Sequence, residues 1–201
     1  MKSVTWVLVA GGIWLSLELF ILGPFSYMHM SDMADHHVPM HLSAALETFP
    51  GANWHRFLGA GTDRGSLGVM GPVDQILFRL FPGWFAVILL STGQIAMAVL
   101  FTYKLCRENL KLPDHAAAFA ALCFAATLTS GRFMNIAVAL LPYLIWSLSY
   151  AMDNKKSIGG WLVLLVAAVI FAGVTMAHLV VPWPLIIVMA WFVIVEPQKN
   201  R

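Results

Sequence analysis

Charge is scarce in this chain. Twelve Lys and Arg and ten Asp and Glu make up 11% of 201 residues, against 60% hydrophobic residues and a mean hydropathy of +0.78. No soluble domain of this size reads that way, so the fold class expected is an all-α, polytopic membrane protein. Cysteine is scarcer still, with two residues. Cys106 lies in a short basic loop and Cys123 in an apolar segment, which excludes a disulfide framework and argues against a Cys-based metal site. There is no Gly-x-x-x-x-Gly-Lys phosphate loop and no serine-hydrolase elbow. No basic patch is interleaved with aromatics, so nucleic acid is not an expected partner. No pair of interrupted hydrophobic segments suggests a transporter. With no repeat and no low-complexity linker, residues 1–201 read as one membrane domain.

What is present is apolar sequence in blocks. Six segments approach the ~20 residues a spanning helix needs: Val4–Leu22, Trp84–Tyr103, Ala116–Ser130, Met134–Met152, Ile158–Ala177 and Pro182–Val195. The first is too long for a leader, and Gly23-Pro24-Phe25 is a poor cleavage site, so it is expected to be retained. The third and sixth are short and should pack deep or sit where the bilayer thins. The third is rich in alanine, which lets helices approach closely, so it is expected at the centre of the bundle. Orientation follows from Lys and Arg. With the N-terminus inside, Lys2, Lys104, Arg107, Lys111, Lys155, Lys156, Lys199 and Arg201 are cytoplasmic. Arg56, Arg64, Arg79 and Arg132 are outside. That bias obeys the positive-inside rule and puts both termini in the cytoplasm.

The first outer loop, about residues 23–83, collects the polar chemistry. Pro39 opens an amphipathic helix with Leu42, Ala45, Leu46 and Phe49 on one face, suited to the membrane interface. A glycine-rich stretch, Gly59 to Pro72, reads as ordered turns, and a second amphipathic piece runs from Val73 to Phe81. Asp32 and Asp35 stand just beyond the first span. Carboxylates there can serve as a general base toward an acceptor or hold a divalent metal; equally, they can mark the water interface. His29, His36, His37 and His41, among Met28, Met30, Met33 and Met40, offer imidazole and thioether ligands for copper or zinc. Glu18 lies inside the first span, near its outer end. It should face the bundle or snorkel outward, as a proton or substrate contact or as a hydrogen-bonded interface residue. The outer arginines suit lipid phosphate or pair with nearby carboxylates.

The order of features also carries a family resemblance. A loop Asp is followed by Asp35-His36-His37-Val38-Pro39, Phe49-Pro50-Gly51-Ala52-Asn53-Trp54-His55, Gly59-Ala60-Gly61-Thr62-Asp63, and a Gly71-to-Pro82 run entering the second span. Leu110–Ala126 and Leu141–Trp146 continue the pattern. This resembles the N-terminal half of GT-C-type membrane glycosyltransferases, especially the bacterial YfhO-like group. The resemblance implies a bacterial inner-membrane protein using a sugar on a polyprenyl-phosphate carrier at the outer face. It implies Asp35 as catalytic base, with Asp32 the second match, and Arg64 and Arg132 as counterparts in kind of the phosphate-binding arginines. Family members carry more spans and often a large outer domain. A shortened relative would have lost activity and serve as a non-catalytic subunit, or would be completed by other membrane subunits.

Overall fold

The computed structural model describes residues 2–25, 42, 54–55, 62–63, 72–129, 136–154 and 157–172. Its architecture is helical. α1 runs Lys2–Leu22 and ends in a 3-10 turn, Gly23–Phe25. Gly23 has φ of +50°, the left-handed conformation that glycine adopts just past a helix end, and Pro24 prevents the helix from resuming. Next comes a small antiparallel ladder, β1 Trp54–His55 on β2 Thr62–Asp63, with Trp54 opposite Asp63. The glycine-rich stretch reads as ordered turns, and Thr62–Asp63 within it pairs as strand. α2 spans Pro72–Leu80, matching the second amphipathic piece, and buries Phe78. α3 is Gly83–Lys104 and passes into a π-helical turn, Leu105–Asn109. α4 is Asp114–Thr127, α5 Ile136–Asp153 and α6 Ile158–Ala172. The interfacial helix expected from Pro39 lies outside the described residues except for Leu42, and so does the segment Pro182–Val195.

Among the described residues, two helices are long and apolar enough to cross a bilayer, Ser3–Phe25 with mean hydropathy 1.9 and Gly83–Asn109 with 2.0. The 27 residues of the second reach about 40 Å at 1.5 Å per residue, beyond a hydrocarbon core of about 30 Å. α4, α5 and α6 supply shorter apolar stretches. Pro142 sits buried inside α5, where it has no N–H for the carbonyl one turn back.

The centre of the bundle is α3, which packs against α1, α2, α4 and α5. Among the described residues α3 meets more helices than the alanine-rich α4, which was expected at the centre. α4 turns Ala117, Ala118, Ala121 and Ala125 inward but leaves Phe119 71% exposed. Among the described residues, its small side chains permit close approach on the face toward α1 and α3. Ile95, Ala98 and Val99 of α3 meet Ala125, Leu128 and Ala139, with Leu8 and Leu15 of α1 beside them. A second cluster joins Phe101 to Leu140, Tyr143, Leu144 and Trp146 of α5 and Ala167 of α6.

α1 touches α4 through a glycine. A Cβ on Gly11 would stand 2.5 Å from Leu122 Cδ2. Alanine there needs only a shift of the leucine tip, but a branched side chain cannot be absorbed. Gly11→Ile should therefore destabilise the protein by about 1–3 kcal/mol, the usual range for overpacking. Thermal unfolding in detergent against Gly12→Ile measures it, because a Cβ on Gly12 meets nothing within 4 Å.

Candidate functional site

Of the residues singled out from sequence, the structure describes Glu18 and, among the outer arginines, Arg79, which is exposed on α2; Asp32, Asp35, Arg64, Arg132, His29, His36, His37 and His41 lie outside the described residues. Glu18 is exposed on α1, one turn before the helix ends. It borders a shallow pocket of about 520 Å³ with Trp14, Ile21 and, from beyond the end of α4, Thr129. The Thr129 hydroxyl donates to the Ala126 carbonyl. Among the described residues, no three His, Cys, Asp or Glu gather as a metal site would require.

The densest polar chemistry lies where α3 ends. The π turn admits an extra residue per turn, and Leu110 N–H reaches the Leu105 carbonyl at 3.2 Å. The widened turn aims consecutive polar side chains in different directions. Arg107 pairs with Asp114 at the start of α4 and also donates to the Leu112 carbonyl. Asp114 accepts from the Tyr103 hydroxyl at 3.3 Å. Glu108 accepts from Trp146 Nε1 at 2.6 Å, and Asn109 Nδ2 donates to Ser149 Oγ at 2.5 Å, both on α5. Lys104 places its ammonium 4.3 Å from the Trp146 ring centroid and 5.7 Å from that of Phe101, within cation–π range. Trp146 stacks on Tyr150 at 5.2 Å. The connecting loop is tight enough that Lys111 adopts φ of +55°, uncommon for a residue with a Cβ.

This arrangement clamps three helices together rather than presenting reactive groups. Each carboxylate of the cluster has a donor and each cation a partner. Arg107 and Asp114 are 40% and 30% exposed, so water screens the pair. A double-mutant cycle of Arg107→Ala and Asp114→Ala should give a coupling of about 0.2–1 kcal/mol, falling as salt is raised. Sequence reading missed the cluster. The available signal was Tyr143, Trp146 and Tyr150 at one-turn spacing facing a Lys-Leu-Cys-Arg-Glu-Asn end.

A second feature lies on α3. Among the described residues, Ser91 Oγ, Thr92 Oγ1, Gln94 Nε2, Thr102 Oγ1 and Asn109 Oδ1 are buried without a hydrogen-bond partner, and all five belong to α3 and its π turn. Such atoms are costly in a low-dielectric interior. Comparison with known families, curated proteins and solved structures finds no match to this chain, and the family resemblance rests on its residues alone.

Proposed function

We propose that the chain is a six-span protein of a bacterial inner membrane, both termini cytoplasmic, that transfers a sugar from a polyprenyl-phosphate carrier at the outer face together with a partner chain. In this reading Asp35 is the base that takes the acceptor's proton, with Asp32 beside it in sequence, and Arg64 and Arg132 hold the lipid phosphate. One observation carries it. The 3-10 turn that follows α1 and the α2 helix that precedes α3 both pack on α3. Two helices of spanning length thus hold together the ends of the segment that contains Asp32 and Asp35. The experiment is sugar transfer from a panel of polyprenyl-phosphate sugars by membranes carrying the wild-type chain or Asp35→Asn. Transfer by the wild type and its loss in the variant support the reading; full transfer by Asp35→Asn overturns it.

A second reading, a non-catalytic subunit of a larger membrane complex, is favoured by the outer surfaces of α1 and α6. Trp6, Ile13, Trp14 and Phe20 on α1, and Trp161 and Leu165 on α6, are all exposed. Faces this apolar meet lipid or another subunit. This reading expects stable co-purification with other membrane proteins and indifference to Asp35→Asn.

A further inference from the structure

Serine and threonine hydroxyls in helices commonly bond back to a carbonyl one turn earlier. In this bundle Ser16, Thr127, Thr129 and Ser147 each donate to a carbonyl three or four residues back. Ser91 on α3 does not. Its Oγ is buried without a partner, and so is Nε2 of Gln94, three residues on. Ser91 is 2% exposed and Gln94 7%. Positions i and i+3 are neighbours on a helix surface, with Cβ atoms about 5–6 Å apart, so the hydroxyl and the amide share one face. Ala98, one turn beyond Gln94, continues that face and packs in a cluster with Ala125 of α4 and Ala139 of α5.

Gln94 lies midway along the 22 residues of α3, which belongs to a helix of spanning length. At that depth lipid offers no substitute partner for a polar group. The chemistry of the surroundings chooses the occupant. α3 has no charged side chain between Gly83 and Lys104, α4 none between His115 and Thr127, and α5 none between Ile136 and Asp153. Glu18 of α1 is exposed. An ion would meet no counter-charge from these helices, so the occupant is neutral. It must accept a hydrogen bond from the Gln94 amide, and it can donate to or accept from the Ser91 hydroxyl. Both side chains are more than nine-tenths buried, so the occupant is enclosed and small. Water meets every one of these conditions, and bridging buried polar groups is what internal waters do.

We infer that Ser91 and Gln94 form a binding site for water inside the bundle, midway along α3. The water accepts from Gln94 Nε2 and bonds Ser91 Oγ, which gives both atoms the partner they lack within the chain. The site needs none of the residues assigned to sugar transfer, so it stands or falls apart from that reading.

The test is hydroxyl-radical footprinting of the full chain in detergent micelles. A millisecond X-ray pulse splits water where it sits, and a radical born at a buried water oxidises the side chains beside it. Ile95 follows Gln94 and is 2% exposed, so radicals from bulk solvent do not reach it. Its oxidation is read by tandem mass spectrometry. The wild type should show oxidation at Ile95, reduced at least fivefold in Gln94→Leu and at least twofold in Ser91→Ala. Thr102→Val lies about 12 Å further along α3, at 1.5 Å per residue, and should leave the rate unchanged. Circular dichroism confirms helicity in each variant, and Ser91→Ala, the milder change, carries the test if Gln94→Leu does not fold. A wild type with no oxidation at Ile95 overturns the proposal. So does oxidation that is equal in the wild type and both site variants, since the radicals would then come from elsewhere.

Discussion

Trp146→Ala should lower stability by about 3–5 kcal/mol, the range for removing a large aromatic side chain from a packed interior. Trp146 is 9% exposed and belongs to the cluster that joins α3, α5 and α6. Its ring lies 5.4 Å from that of Phe101, which in turn sits 4.2 Å from Tyr143. Alanine removes these contacts, the stack on Tyr150, the cation–π contact of Lys104 and the donor to Glu108. The loss should appear as a lower thermal midpoint in detergent. Trp146→Phe separates the causes. It keeps a ring for packing but no N–H, and Glu108, exposed to water, is resolvated. The phenylalanine variant should therefore lose only about 0.5–1.5 kcal/mol for the bond, plus the smaller ring's packing. Equal losses in the two variants would mean that the indole N–H, and not the aromatic packing, holds this end together.

Asp35→Asn should reduce sugar transfer by about 10²–10⁴-fold, the usual contribution of a positioned general base. The substitution keeps size and shape but removes the proton acceptor, so helicity and expression should not change. If Asp35 acts as the base, Asp35→Glu should recover part of the rate, because it restores the carboxylate at a shifted position. Asp32→Asn is the companion measurement. A larger loss there than at Asp35 would move the base three residues upstream. Unchanged transfer in both variants would favour the subunit reading.

How far the sequence could be read depended on whether a signal was local. The first two spans were expected at Val4–Leu22 and Trp84–Tyr103, and the helices run Lys2–Leu22 and Gly83–Lys104. Both were legible because an unbroken apolar run is bounded by residues that stop or start helices, Gly23-Pro24 after one and Pro82-Gly83 before the other. The amphipathic α2 was legible for the same reason. The alanines of α4 were read as marking the centre, but composition does not say how many faces a helix buries. That depends on neighbours, and among the described residues α4 meets its neighbours on the face that holds Ala117, Ala118, Ala121 and Ala125. The clamp at the end of α3 was illegible because Glu108 and Trp146 are 38 residues apart, and Asn109 and Ser149 are 40. Of the candidate site, only Glu18 has a described place, on the outer surface of α1.

The π turn makes the clamp sensitive to chain length as well as to chemistry. A π turn holds one residue more than the α-helical turn it replaces, so deleting a single residue from Leu105–Asn109 would let α3 continue as a regular helix. Everything beyond the deletion would then be rotated by about 100°, one residue's step at 3.6 per turn. Were the deleted residue Leu105 or Cys106, Glu108 and Asn109 would swing away from Trp146 and Ser149 although all four residues remained in the chain. At this end of the bundle the spacing of residues is itself an interaction, so substitutions should be tolerated more readily than insertions or deletions.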